Sequence, residues 1–279
     1  GLAAGKGVFV AMTVDDAITA AKDILGDKSF GSAGSKIVIE EFLVGEEASY
    51  IVVTDGTEVI SLATSQDHKA RDNNDLGPNT GGMGAYSPAP IVTEALKLRV
   101  MNEIINPTLE GLKKDGIDYL GFLYAGLMID GAGNPKILEY NCRFGDPETQ
   151  PIMMRLESDF VELCEATLNG SLLNHKVRWN KKVALGVVMA AGGYPIKYES
   201  GKQIFGLESV KDDTSKVFHA GTSLEKDKLL TAGGRVLCVV GMGDNTKEAQ
   251  RNSYKSVGKI TWEDEFHRND IGYRAIESE

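Results

Sequence analysis

The spacing of apolar and polar residues along the chain predicts a mixture of short strands and amphipathic helices. Short apolar or alternating runs indicate strands, and apolar residues three or four positions apart indicate helices. The predicted strands cover residues 8–12, 36–43, 48–54, 59–63, 120–129, 135–141, 183–190, 217–220 and 235–240. The predicted helices cover about residues 13–25, 93–114, 158–170 and 247–257. Both element types are therefore expected, and the part after about residue 179 is mainly strand.

Local residue choices predict where several elements begin or bend. Thr13 with Asp16 three residues later forms the pattern of a capping box at a helix start. Asp55-Gly56 predicts a hairpin between two strands. Pro107 is expected to kink or divide the second helix, and Ser158 is expected to cap the third.

Composition and charge restrict the classes of function. The chain has 279 residues and a formal net charge of −10, with 42% hydrophobic and 25% charged residues. A negative balance argues against non-specific nucleic-acid binding, and no apolar run reaches the roughly 18 residues of a membrane span. The three cysteines (Cys142, Cys164 and Cys238) show no CxxC pairing. We therefore expect buried free thiols in a reducing, cytoplasmic setting.

The strand predicted at 135–141 and the two residues after it carry polar side chains at alternate positions. Because alternate side chains share one face of a strand, Glu139, Asn141 and Arg143 are expected to point together. A carboxylate and an amide oxygen are hard ligands that suit Mg²⁺, and a guanidinium beside them can hold a phosphate oxygen. A polar, solvated strand face is the alternative.

Two segments near the start have the composition of nucleotide-binding loops. Gly5-Lys6-Gly7 combines small residues, which let backbone N–H groups approach an anion, with a mobile positive charge. A plain turn would look the same. Glu40-Glu41-Phe42-Leu43 offers apolar surface for a purine ring, and Glu47 a carboxylate for ribose hydroxyls. An exposed acidic turn is the alternative here.

Residues 65–90 form a long segment with little periodicity and many Gly, Asn, Asp and Pro residues. So long a structureless segment inside a domain is usually functional or disordered. Gly81, Gly82 and Gly84 would permit close backbone approach to an anion, and Lys69 would add positive charge. His68 could titrate, although a lone histidine is more often a hydrogen-bonding structural residue. A flexible surface loop is the alternative for the whole segment.

The order of these segments resembles the ATP-grasp superfamily: a glycine loop with a lysine, EEFL-x-GEE, a long glycine loop and E-x-N-x-R. Longer strings resemble the phosphoribosylamine–glycine ligase (glycinamide ribonucleotide synthetase) family along the whole chain. They are SQDHK, GPNTGGMGAYSP, EYNCRFGDPETQ, AAGGYP, GGRVL and DIGYRAI. The resemblance implies an α+β protein, with an ATP-grasp fold of two α+β lobes followed by a smaller β-rich C-terminal domain. It also implies a ligase of purine synthesis that joins glycine to 5-phosphoribosylamine through glycyl phosphate, using ATP and Mg²⁺ or Mn²⁺.

The resemblance assigns roles to individual residues, as expectations. The metal ligands are Glu139 and Asn141, with no third acid at 124–128, and the catalytic residues are Asp67, Lys69 and Arg143. The ATP-binding residues are Gly5, Lys6, Gly7, Glu40, Glu41, Phe42, Leu43 and Glu47. The substrate-binding residues are Gly81, Gly82, Met83, Gly84, Asp146 and Glu148. Gly192, Gly193 and Arg235 are weaker candidates that would help to close the site.

The resemblance also divides the chain into a truncated nucleotide lobe at 1–46, a core lobe with the metal site at 47–180 and a β-rich domain at 181–279. The family has a further N-terminal domain, and the first residues here show neither an initiator Met nor a signal peptide. The chain is therefore expected to be a fragment whose site that domain completes. The alternatives are a catalytically incomplete nucleotide-binding fragment, or another ATP-grasp ligase such as a D-alanine ligase or a biotin-dependent carboxylase subunit. No nucleic-acid or membrane partner is expected.

Overall fold

The computed structural model describes residues 8–26, 31–211 and 213–279. The chain divides into two units between Val44 and Gly45. Within the described ranges, no helix has the length and apolarity that a membrane crossing requires.

The first unit contains helix α1 (Val14–Leu25) and a 3₁₀ turn at Gly31–Ser35. Thr13 Oγ1 accepts a hydrogen bond from Asp16 N at 3.2 Å, and Asp16 Oδ2 accepts one from Thr13 N at 3.0 Å. The predicted capping box is therefore confirmed.

The strands predicted at 8–12 and 36–43 are wrong, because neither segment forms a strand. Side chains there are open to solvent, with Val38 83% and Ile39 87% exposed. Residues that favour strands form one only when a neighbouring strand takes their backbone hydrogen bonds and other groups cover a face. The described part of the chain pairs no strand with either segment.

The second unit is built from two main antiparallel sheets with helices on their faces. Its strands are β1 (Glu46–Thr54), β2 (Val59–Ser61), β3 (Gln66–Asp67), β4 (Ala70–Asp72), β5 (Leu76–Asn79), β6 (Gly84–Ser87), β7 (Gly121–Ile129), β8 (Pro135–Asn141), β9 (Val183–Ala190), β10 (Ser215–His219), β11 (Thr222–Glu225), β12 (Lys228–Thr231) and β13 (Arg235–Gly243). Its α-helices are α2 (Glu94–Val100), α3 (Asn106–Lys114), α4 (Thr149–Arg155), α5 (Phe160–Leu168), α6 (Thr246–Val257) and α7 (Tyr273–Ser278).

The first sheet has the strand order β2-β1-β7-β8, and the predicted hairpin between β1 and β2 is confirmed. One face, with Tyr50 and Val52, packs on α2 through Leu96 and Val100 and on α3 through Leu109. The other face, which includes Ile51 and Tyr124, packs on α4 and α5. Helices thus cover both faces of the sheet and bury its central strands, β1 and β7.

The second helix predicted from the sequence is interrupted as expected. A π-helical segment, Met101–Ile105, joins α2 to α3, and Pro107 lies in the first turn of α3. Proline has no N–H to continue the α-helical bonding, so the register of the helix changes next to it. The cap of α5 differs from the prediction. Asp159 Oδ1 accepts from Val161 N at 2.7 Å, whereas Ser158 Oγ accepts from Arg178 N at 2.7 Å.

The second sheet has the strand order β10-β13-β9-β6-β3. Residues 65–90 are therefore not a structureless loop, because they supply β3 and β6 to this sheet and pair β4 with β5. These strands hold only two to four residues, too few for periodicity to show. Helix α6 covers one face of the sheet and α4 lies on the other. The sheet joins strands from both sides of residue 180, and the domain limits at 46/47 and 180/181 stay predictions.

The three cysteines are free thiols, as predicted. Their burial differs from the prediction, because Cys238 is buried, Cys164 is half-buried and Cys142 is exposed. Cys142 follows Asn141, the last residue of β8.

Candidate active site

One face of the first sheet carries a row of polar residues near its edge. Ser49 lies opposite Gly126, and Gly126 lies opposite Glu139, so these three positions share a face. Glu47 lies two residues before Ser49 on β1, and Asn141 lies two residues after Glu139 on β8, so both side chains share the same face. The prediction that Glu139 and Asn141 point together is confirmed by this register.

Arg143 does not continue that row. Strand β8 ends at Asn141, and Arg143 lies in the bend that follows, exposed, with its Nη1 donating to the carbonyl of Phe144 at 2.7 Å. The alternation that placed Arg143 beside Glu139 applies only within a strand, so this part of the prediction is wrong. Its role towards a phosphoryl group stays a prediction.

Gly126 leaves the space that the Glu139 side chain occupies. A Cβ at Gly126 would lie 3.2 Å from Glu139 Cγ and 3.4 Å from Tyr124 Cε1. Because Gly126 has no side chain, the side chain of Glu139 can lie over β7 at this position.

The segment after Ser65 brings an acid and a cation to this face. Lys69 Nζ forms an ion pair with Glu47 Oε2 at 2.5 Å. Burial lowers the pKa of Lys69, but the nearby carboxylates of Asp67 and Glu47 outweigh burial and raise it above its usual value. Burial and the neighbouring Glu148 raise the pKa of Asp67 well above that of an ordinary aspartate, and Lys69 offsets part of the effect. In this structure Glu47 thus holds Lys69, while its predicted contact with a nucleotide stays a prediction.

Glu148 is 2% exposed and lies under the same face. Ser49 Oγ donates to Glu148 Oε1 at 2.8 Å and is 2.9 Å from the hydroxyl oxygen of Tyr124. Burial, followed by the charges of Glu148 and Asp67, raises the pKa of Tyr124. Its hydroxyl therefore stays neutral and can serve this buried network as a hydrogen-bond donor.

Residues 80–84, here called the glycine loop, cross beside this site. Gly82 has φ +111°, and a Cβ there would overlap Pro147. Gly82 N donates to Thr80 Oγ1 at 2.9 Å, and Met83 N donates to the carbonyl of His68 at 2.8 Å. These amides and that of Gly81 bond within the protein, so they do not form the anion cradle expected from the glycine pattern. The close approach that the glycines permit is to other protein segments, and substrate binding by 81–84 stays a prediction.

Arg235 and Tyr194 hold the glycine loop from the second sheet. Arg235 Nη1 donates to the carbonyl of Gly81 at 2.7 Å, and Gly81 N donates to the Tyr194 hydroxyl at 2.9 Å. Arg235 Nη2 also donates to Asp146 Oδ2 at 2.9 Å. The sequence suggested Arg235 only weakly and Tyr194 not at all. The AAGGYP and GGRVL strings that contain them were the available signal.

His68 is a structural residue here. It is 1% exposed, and its Nε2 accepts a hydrogen bond from Gly272 N at 2.9 Å. Burial lowers the pKa of His68, which keeps the imidazole neutral. The structural interpretation of this histidine is therefore favoured over a titrating one.

Seven of the residues expected to bind the nucleotide belong to the first unit. Gly5, Lys6 and Gly7 fall outside the described residues. Glu40, Glu41 and Phe42 are exposed, and Leu43 is half-buried. Their contact with ATP stays a prediction.

The side chains of Glu139 and Asn141 have the chemistry of ligands for a divalent cation. Among the described residues, no group of three or more His, Cys, Asp or Glu side chains is placed to hold a metal ion. Glu139 and Asn141 instead offer one carboxylate, exposed to solvent, and one amide oxygen. This set fits a hard cation that takes two protein ligands and completes its shell with phosphate and water.

Filling the space above Gly126 is expected to weaken metal use without unfolding the protein. A valine there would displace Glu139, so we expect Gly126→Val to raise the Mg²⁺ concentration for half-maximal turnover roughly tenfold, the lower end of losses from disturbed ligand support. A Mg²⁺ titration measures this. Gly111→Ala is the matched control, because its Cβ would meet nothing within 4 Å. Unchanged Mg²⁺ dependence in Gly126→Val would rule out metal binding by Glu139.

An α+β fold with an acid–amide pair on a strand beside a glycine loop is the arrangement expected of an ATP-grasp protein, and the family comparison shows that class. The family described as phosphoribosylglycinamide synthetase, ATP-grasp (A) domain, matches residues 1–149. The C domain of the same synthetase matches residues 184–274. The chain belongs to the phosphoribosylglycinamide synthetase family.

Curated relatives agree with this assignment along the whole chain. A phosphoribosylamine–glycine ligase of Vibrio vulnificus is 57% identical over 279 residues, which is all of this chain and 65% of the relative. One from Allochromatium vinosum is 58% identical with the same coverage. The chain thus spans 65% of the length of these relatives.

Solved structures share the fold. The crystal structure of a phosphoribosylamine–glycine ligase from Thermotoga maritima has a TM-score of 0.83 and 36% identity, covering 97% of this chain and 67% of that one. A biotin carboxylase domain from Hydrogenobacter thermophilus has a TM-score of 0.70 at 13% identity, covering 94% and 56%. The second likeness shows the ATP-grasp fold alone.

Proposed function

We propose that this chain is the greater part of an ATP-dependent carboxylate–amine ligase. The reaction joins glycine to 5-phosphoribosylamine and gives glycinamide ribonucleotide, ADP and phosphate in de novo purine synthesis. The observation that carries the proposal is the 57% identity, along all 279 residues, to a relative named phosphoribosylamine–glycine ligase. The polar site around Glu139, Asp67 and Lys69 supports it.

The chemistry explains why such a site needs ATP. A carboxylate is a poor acyl donor, because its charge repels the amine and oxide is a poor leaving group. A carboxylate oxygen of glycine therefore takes the γ-phosphoryl group, which gives glycyl phosphate and releases ADP. The amine nitrogen then bonds to the carbonyl carbon, phosphate leaves with the electron pair of the broken C–O bond, and the nitrogen loses a proton. Positioned charges and donors stabilise both steps.

The chain offers groups for these tasks. Asp67 would accept the proton, because its raised pKa makes its carboxylate a stronger base than an ordinary aspartate. Lys69, held by Glu47, would stabilise negative charge that develops on the substrate. Arg143 would steady the transferring phosphoryl group. Gly81, Gly82, Met83 and Gly84, with Glu148, would shape the substrate site, and Asp146 would take part through its link to Arg235.

Glu139 and Asn141 would hold Mg²⁺ or Mn²⁺. Such an ion supplies charge neutralisation on the phosphate oxygens when bound. For ATP itself, Gly5, Lys6 and Gly7 would contact the phosphates, and Glu40, Glu41, Phe42, Leu43 and Glu47 the adenosine.

We also propose that residues beyond this chain complete the nucleotide site, since the relatives are longer. The same difference in length favours a second candidate for the isolated chain, a nucleotide-binding fragment without full turnover. The three free thiols support a reducing, cytoplasmic setting for the reaction.

Phosphate release tests the proposed reaction. An enzyme extended to the full length of the relatives is expected to release phosphate from ATP only when glycine and 5-phosphoribosylamine are both present. Release that persists unchanged without glycine would refute the ligase assignment. The isolated 279-residue chain, assayed in parallel, is expected to turn over far more slowly, and equal rates would refute the need for further residues.

A further inference from the structure

Arg235 joins two parts of the site that are far apart in the sequence. Its Nη1 donates to the carbonyl oxygens of Gly81 at 2.7 Å and Asp146 at 2.6 Å. Its Nη2 donates to Asp146 Oδ2 at 2.9 Å. One guanidinium therefore connects the glycine loop to the turn at 143–148, and its planar fork of donors fixes both distance and direction.

The peptide at Gly81 is held on two sides. Tyr194 accepts from its N–H, while Arg235 donates to its carbonyl oxygen. A Cβ at Gly81 would lie 3.0 Å from Arg235 Cζ and 3.2 Å from the Tyr194 hydroxyl oxygen. A side chain at Gly81 would push these two groups away from the loop.

Asp146 is committed to the same network. One carboxylate oxygen accepts from Arg235, and the other accepts from Gln150 Nε2 at 3.1 Å. The main-chain carbonyl of Asp146 also accepts from Arg235. With both carboxylate oxygens taken, Asp146 acts in this structure as a link between Arg235 and helix α4.

The glycine loop lies beside one proposed catalytic side chain, Asp67, and the turn carries another, Arg143. The glycine loop packs over Pro147, and a Cβ at Gly82 would come within 3.5 Å of Asp67 Oδ2. The turn at 143–148 carries Arg143 and leads to buried Glu148. The glycine loop thus packs between Asp67 and the turn that carries Arg143, so a shift of the loop against the turn changes the space between these two side chains.

We propose that Arg235 is a positioning residue for ligation, acting through Gly81 and Asp146 without touching the reacting atoms. The proposal rests on the proposed function. Because a misplacement of about 1 Å can cost on the order of 100-fold in rate, loss of this contact lowers turnover strongly. Binding of ATP is unaffected, since Arg235 holds segments of the second sheet and the turn, and none of the residues assigned to ATP.

Steady-state kinetics in the enzyme of the relatives' full length tests the role. Arg235→Met is expected to lower kcat about 100-fold with an unchanged KM for ATP. Arg235→Lys keeps the charge on a single donor nitrogen and cannot bond Gly81 and Asp146 with the same geometry, so it is expected to restore kcat only to about a tenth of the wild-type value. Full recovery of kcat in Arg235→Lys would instead indicate that Arg235 only supports the fold. Asp146→Asn added to Arg235→Met is expected to lower kcat little further, because the two residues act as one unit. An unchanged kcat in Arg235→Met, or fully additive losses, would overturn the proposal.

Hydrogen exchange in the 279-residue chain separates this inference from the ligase assignment, because it needs no substrate. Arg235→Met and Tyr194→Phe are expected to speed exchange at residues 80–84 while leaving β9 unchanged. Arg251→Met is the matched control, since Arg251 is a 71% exposed side chain whose one ion pair among the described residues is with Glu248. Unchanged exchange at 80–84 would overturn the positioning role even if the enzyme ligates glycine. If the variants exchange faster but the wild-type enzyme shows no glycine-dependent turnover, the ligase assignment is refuted and the positioning of the glycine loop by Arg235 still stands.

Discussion

Replacing Glu139 by alanine is expected to lower glycine-dependent phosphate release on the order of 1,000-fold, because a bound cation contributes several kcal/mol to transition-state charge stabilisation. The variant should keep its unfolding transition. Glu139 is exposed at the edge of the first sheet, so its removal leaves no buried group without a partner. Loss of activity with an intact fold and a changed Mg²⁺ requirement is the combination that identifies a metal ligand.

The measurement is turnover against Mg²⁺ concentration in the enzyme of the relatives' full length. Glu139→Gln keeps the shape and removes the charge, and we expect it to fall between alanine and wild type. Glu110→Ala is the matched control, because Glu110 is an exposed carboxylate on α3, which covers the opposite face of the same sheet. If Glu139→Ala turns over normally with an unchanged Mg²⁺ requirement, the metal lies elsewhere.

The sequence was informative where the decisive structure is local. Glu139 and Asn141 share a face because they are two residues apart on one strand, and two-residue alternation is visible in any sequence. The capping box at Thr13 and the break at Pro107 depend on neighbours within four residues. Each of these features is specified by the residues that form it.

The sequence was less informative where distant segments meet. Gly81 and Arg235 are 154 residues apart, and only the pairing of β6 with β9 and of β9 with β13 brings them together. For the same reason the sequence could indicate that the glycines at 81 and 82 allow a close approach, but not that Arg235, Tyr194 and Pro147 are the protein groups that approach them. The strand predictions at 8–12 and 36–43 were wrong because they relied on local preference alone. Local preference cannot supply the partner strand that a strand needs.

Long-range contacts also fix the positions of Asp67 and Lys69. A buried arginine, Arg268, binds the segment that follows them. Arg268 is 1% exposed and donates from Nε and Nη2 to the two carboxylate oxygens of Asp270, both at 2.8 Å. Its Nη1 reaches Asp75 Oδ1 at 2.9 Å and the carbonyl of Ala70 at 3.1 Å. The C-terminal segment is thereby fastened to the chain that follows Lys69.

Asp75 receives several donors at this point. His68 Nδ1 lies 3.7 Å from Asp75 Oδ1, and the Tyr273 hydroxyl donates to Asp75 Oδ2 at 2.5 Å. His68, then Tyr273 and Arg268, hold the pKa of Asp75 well below its usual range. The charged carboxylate is therefore strongly favoured in the folded protein, and it depends on its cationic partners.

Arg268→Met is expected to lower the free energy of unfolding by about 3 kcal/mol, because it leaves the largely buried Asp270 carboxylate without its ion-pair partner. Asp75 keeps its ion pair with Arg274. The loss should appear as a fall of roughly 6–12 °C in the unfolding midpoint of a domain of this size. Arg268→Lys keeps the charge but cannot bridge Asp75, Asp270 and Ala70 together, so it should recover only part of the loss. The exposed Arg251→Met should change stability by less than about 0.5 kcal/mol, as surface pairs do. A midpoint for Arg268→Met equal to that of Arg251→Met would show that this network does not stabilise the fold. The segment with Asp67 and Lys69 would then have to be held by β3 and β6 alone.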